Sequence, residues 1–165
     1  MKGLFFMKKI LFICTLLLVT SLACRAQELL MPTAAVTSVP QPNENVEEMF
    51  QVTSNGSAQN GATPTTFTVS ESWLVTEIKT YHWNNGIGVT PGTIGLMAAD
   101  GTILGTWQAD GLPGQGDVLN AYWVANPNIV IPAGTYTVID SDPDTWSQNS
   151  ETNGVGMAWG LGVRQ

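Results

Sequence analysis

Four carboxylates within the stretch VIDSDPDTWSQNSE, residues 138–151, carry the clearest chemistry in the chain: Asp140, Asp142, Asp144 and Glu151. Counted from Asp140 they fall at positions 1, 3, 5 and 12, the spacing of an EF-hand loop, and calcium takes hard oxygen ligands of this kind. The resemblance fails where an EF-hand is strictest. Position 6 is Thr145 in place of the glycine that makes the sharp turn, and position 4 is Pro143. The preceding TYTVID reads as a strand, where an EF-hand has a helix. Three readings stand side by side. One is a calcium site of another type, with further oxygens from Gln148, Asn149 and Ser150. A second is direct ligand contact through Asp140, Trp146 and Asn149. The third is a turn, since Asp, Ser and Asn side chains hydrogen-bond their own backbone.

Aromatic rings are the second resource. The chain holds 6 tryptophans and 3 tyrosines, and every tryptophan lies beyond residue 70. A flat ring beside amide side chains suits a sugar, whose C–H face stacks while its hydroxyls hydrogen-bond at the edge. Tyr81, Trp83 and Asn84, with Asn85 and Gln108 as further amides, are the candidates for this. The competing role is core, because each buried aromatic removes about 150–250 Å² from water. Trp107, Trp123 and Trp159 are expected inside, Trp83 and Trp146 at the surface.

Other constellations are weaker. His82 is the single histidine, with no cysteine or second histidine to share a metal, so zinc is not expected. Ser70, His82 and Asp140 supply the residue types of an acyl-transfer triad, but no GxSxG motif supports it. His82 is expected to be hydrogen-bonded at a strand end. GLPGQGD at 111–117 lacks the Gly-Lys-Ser/Thr ending of a phosphate loop and reads as one rim of a binding site. No pair of carboxylates stands out for glycoside hydrolysis.

The elements that must position these residues read as strands. From Thr65 onward, short apolar or β-branched runs alternate with Gly, Pro, Asn and Asp, the pattern of one antiparallel β-sandwich of jelly-roll or immunoglobulin-like type. Strands are expected at 65–70, 74–83, 93–98, 103–109, 121–125, 129–131, 135–140 and 155–163. In the second of these, alternation puts Val75, Glu77, Lys79, Tyr81 and Trp83 toward solvent, and Leu74, Thr76, Ile78, Thr80 and His82 inward. Ala99-Asp100-Gly101-Thr102 signals a hairpin of type I′. In the last strand Val155, Met157, Trp159, Leu161 and Val163 form an apolar face, while the opposite face is nearly bare and open to close approach.

Ahead of the domain, Lys2, Lys8 and Lys9 precede an apolar run from Ile10 to Ala23, the layout of an export signal over 1–23. TSLAC resembles the lipobox of bacterial lipoproteins, which makes Cys24 the lipidated residue; ordinary cleavage after Ala23 or Ala26 is the alternative. Residues 24–64, rich in Pro, Thr, Ser, Asn and Gln, read as a flexible linker. "NVEEMF" within it reads as a helical turn or a short leading strand, and Asn55-Gly56-Ser57 as turn-rich linker. The only cysteines are Cys14 and Cys24, so the domain has no disulfide or thiol chemistry. Beyond Thr65 only Lys79 and Arg164 are basic, against 9 acidic residues. That balance excludes a nucleic-acid partner, whose phosphates need Lys and Arg, and leaves the membrane reachable only through a lipid anchor.

Residues 72–163, through Tyr81-His82-Trp83-Asn84, Asn120-Ala121-Tyr122-Trp123 and VIDSDPDTWSQN, resemble a domain of exported and surface-attached bacterial proteins with no settled activity. The resemblance implies a secreted accessory module and brings no catalytic residues. The expected function is a non-catalytic module with a glycan or surface polymer as partner and no cofactor other than calcium. A structural or envelope-protein interaction domain is the alternative, and a hydrolase a minor one.

Overall fold

The computed structural model describes residues 45–165. The expected signal peptide, Cys24 and the first part of the linker lie outside them. Ten strands follow in order: β1 (Glu47–Val52), β2 (Thr66–Val69), β3 (Trp73–Tyr81), β4 (Thr93–Ala98), β5 (Ile103–Gln108), β6 (Asp110–Leu112), β7 (Tyr122–Ala125), β8 (Ile129–Ile131), β9 (Gly134–Asp140) and β10 (Ala158–Arg164). One sheet has the order β1-β10-β3-β7-β6, with β8 also on β3; the other has the order β2-β9-β4-β5. Every strand pair is antiparallel. Strands β1 to β4 pass alternately from one sheet to the other, as do β9 and β10. This is jelly-roll connectivity, and it differs from the ABED/CFG arrangement of an immunoglobulin domain.

The linker boundary at 64 is too late. Glu47–Val52 pairs with β10 along its length, and Phe50 stacks on Phe67 with ring centroids 4.0 Å apart. One aromatic side chain with an inward partner draws this polar stretch into the sheet.

Between the sheets lie Phe67, Val69, Ile94, Leu96, Tyr136 and Val138 from one side, and Trp73, Val75, Ile78, Trp123, Ala125 and Ile131 from the other. In β3 the expected faces hold from Glu77 onward and are reversed before it. Gly162 pairs with Val75 and Leu161 with Glu77, so Thr76 is an extra residue, a bulge whose hydroxyl donates to the Leu161 carbonyl. Both Val75 and Ile78 therefore point inward.

β10 turns its nearly bare face inward, where close approach was expected, and Trp159, expected inside, lies on the outer face. Ala158, Gly160 and Gly162 are buried, whereas Trp159, Leu161 and Val163 are only partly so. The cause is the same Phe50: a Cβ on Gly160 would collide with its ring. The bare face is thus the packed one, filled by β1. The hairpin at 99–102 forms, but only Gly101 is left-handed, at φ 88°. The Gly101 amide donates to the Ala98 carbonyl, making a type I turn followed by a glycine bulge in place of type I′.

Candidate functional site

His82 is wholly buried although it follows the end of β3. Its ring stacks on Trp123 at 3.8 Å between centroids and 18° between planes. Nε2 lies 3.1 Å from Asp140 Oδ2, and Nδ1 lies 3.0 Å from the Thr145 hydroxyl. The Thr80 hydroxyl donates to the same Asp140 oxygen at 2.9 Å, and Thr145 donates to Asp142 Oδ2 at 2.7 Å. Asp140 belongs to β9 and His82 follows β3, so this polar chain joins the two sheets across the core.

With His82 turned inward, alternation turns its neighbours Tyr81 and Trp83 outward, where they line a cleft of about 380 Å³. The other lining residues are 54–58, Gln115, Gly116 and Met157. A volume near the lower end of the roughly 300–1,000 Å³ usual for ligand pockets fits a small molecule or a short part of a larger one. No charged side chain lines this cleft among the described residues. Burial pushes the Tyr81 phenol above the usual tyrosine range; the backbone N–H of Gln115 partly opposes that shift and Tyr122 adds to it. The phenol is therefore a neutral hydrogen-bonding group at ordinary pH.

The acidic stretch does not face this cleft. Trp146 was expected at the surface, but it is wholly buried, and its indole N–H donates to the Met157 carbonyl at 2.9 Å. The loop folds back because Ser147 continues the hydrogen bonding of β3: its amide donates to Tyr81 O at 2.7 Å, and its hydroxyl accepts from Trp83 N at 3.0 Å. Trp146 is carried inward with it, over Gly156, where any Cβ would meet the indole.

The four carboxylates do not converge, and among the described residues no three His, Cys, Asp or Glu side chains gather as metal ligands. Asp140 Oδ1 accepts from the Asp142 amide at 2.8 Å, a turn contact, while Oδ2 faces His82. Asp144 is exposed, and Glu151 accepts from the Ser54 hydroxyl.

Asn149 is buried and braces the cleft from behind. Its side-chain amide donates to Ser54 Oγ at 2.6 Å, and its carbonyl oxygen accepts from the amides of Glu151 and Thr152. Asn84 does similar work beside the cleft, accepting from Asn60 at 2.7 Å and donating to the Gly88 carbonyl at 3.2 Å. Of the expected ligand residues, Tyr81 and Trp83 line the cleft; Asp140, Trp146, Asn149 and Asn84 hold its walls.

Thr145, His82 and Asp140 line up as hydroxyl, imidazole and carboxylate, while Ser70, whose residue type alone suggested a triad, takes no part in these contacts. None of the three lines the cleft, and the imidazole has no exposed surface for a substrate to reach. The trio serves as a tie between sheets. Reasoning from sequence missed Ser54, Ser57 and Met157 as cleft residues. The only signal for the first two was the polar, turn-forming character of "SNGS", which reads equally as linker.

Neither a family model, nor a curated protein, nor a solved structure matches this chain. The cleft has to be read from its own chemistry.

Proposed function

We propose that this is an exported, non-catalytic binding domain, held to a membrane through a lipidated Cys24, that takes a neutral carbohydrate in the cleft of Tyr81 and Trp83. The observation that carries this reading is the lining itself. The half-buried Trp83 ring offers an apolar face with the edge of the nearly buried Tyr81 beside it, Asn55, Ser57 and Gln115 offer hydrogen bonds, and no formal charge is present. Jelly rolls serve lectins among many other proteins, so the fold permits the function without assigning it.

A glycan array with residues 45–165 tests the proposal. Binding to neutral glycans that is lost in Trp83→Ala supports it; no binding, or binding unchanged in Trp83→Ala and Tyr81→Ala, ends it. A protein partner in the envelope is the second reading. It is favoured by Ile87 and Leu119, 76% and 69% exposed, on loops that touch where Gly88 packs on the Leu119 backbone. Envelope extract captured by the wild type and not by Ile87→Ser, with a silent array, would establish that reading instead.

A further inference from the structure

Across the outer face of the β1-β10-β3-β7-β6 sheet, aromatic rings continue beyond the cleft. Tyr122 on β7 packs beside Tyr81 at 4.7 Å between centroids, and Trp159 on β10 meets Tyr122 edge-on at 5.7 Å. Both Tyr122 and Trp159 are partly exposed. Lys79 Nζ lies over the faces of both rings, 5.3 Å from each centroid, so a ligand stacking on that side displaces it, and Glu77 stands 3.8 Å from the ammonium, so the patch carries matched charge. Gln51 on the edge strand β1 pairs with Trp159 and sets an exposed amide at the far side.

We infer that the cleft opens into a groove and that its ligand is a polymer, a chain of linked neutral pyranoses held along its length over Tyr122 and Trp159. The inference rests on the carbohydrate reading of the cleft. Its first support is adjacency, because the nearly buried Tyr81 ring joins the cleft lining to the cluster that holds the partly exposed Trp83, Tyr122 and Trp159. Its second is length. From β7 across β3 and β10 to β1 there are three interstrand spacings of about 4.8 Å, a track of roughly 14 Å that is longer than one sugar ring. Its third is the facing of β10, which leaves Trp159 partly open while glycine and alanine fill the interior positions. An apolar ring next to a matched ion pair suits the alternating C–H and hydroxyl edges of a neutral glycan better than a charged polymer.

Calorimetry with β-linked glucose and N-acetylglucosamine oligomers of one to six units, on residues 45–165, tests the groove. Affinity is expected to rise at least tenfold between dimer and hexamer. Trp159→Ala, and independently Tyr122→Ala, should bring hexamer affinity down to that of the wild-type dimer, with circular dichroism confirming that each variant is folded. Affinity that does not grow with length, or hexamer binding unchanged in both variants, overturns the groove and leaves the cleft reading standing. Absence of binding at every length overturns both, and preference for polygalacturonate over the neutral oligomers overturns the neutral-polymer assignment.

Discussion

Because His82 is enclosed, with its nitrogens held by Asp140 and Thr145 and its ring against Trp123, the backbone on either side has little freedom and Tyr81 and Trp83 stay turned into the cleft. Removing one member of such a buried hydrogen-bonded set leaves its partners unsatisfied, a loss of roughly 1–3 kcal/mol for each. Asp140→Ala strips the acceptor from both His82 and Thr80. Urea unfolding of that variant should show a stability loss of this order, and Asp140→Asn, which keeps a side-chain acceptor, a smaller one. A loss below about 1 kcal/mol in Asp140→Ala would remove the tie between sheets from the account, being no more than one ordinary hydrogen bond.

At the scale of elements, β10 shows how one neighbour overrides a clear periodic pattern. Its large side chains alternate with Ala158, Gly160 and Gly162, and periodicity alone turns the large ones inward. Phe50 from β1 occupies the space above Gly160 and stacks on Phe67, so the glycine face becomes the interior one. Gly160→Val overfills that site and should cost about 1–3 kcal/mol, the range for overpacked cores. Combining it with Phe50→Ala should give a loss smaller than the sum of the single losses, because the two side chains contest one volume. Strict additivity in that double-mutant cycle would mean that Phe50 does not set the facing of β10.

For the molecule as a whole, the strand order makes residues 45–64 part of the domain. They supply edge strand β1 and the segment 54–58 that lines the cleft, and the latter is held by Asn149 and Glu151 through Ser54. A chain beginning at Asn45 should unfold cooperatively. One beginning at Thr65 should melt at a lower temperature and lose any glycan binding, since it lacks both the Phe50 packing and one part of the cleft lining. Equal melting temperatures for the two would return the domain boundary to residue 64.

Much of the fold was written in short-range pattern. β-Branched runs between Gly, Pro, Asn and Asp marked β2 to β5 and β7 to β10, because strand formation and turn chemistry are local. The outward facing of Tyr81 and Trp83 on either side of an inward His82 was legible in the same way, from alternation. Decisions that depend on distant partners were not legible. β1 read as linker because a single Phe50 draws it in, and β6 because three residues carry too little pattern. Trp146 read as a surface ring because its polar flanks, Thr145, Ser147 and Asn149, find their hydrogen bonds in residues 81–83 and in Ser54, far along the chain. The sequence by itself determined the all-β class and most of the strands, because strand and turn chemistry are local. Only the tertiary structure decided which side chains reach the cleft, because the facing of a strand depends on what packs against it.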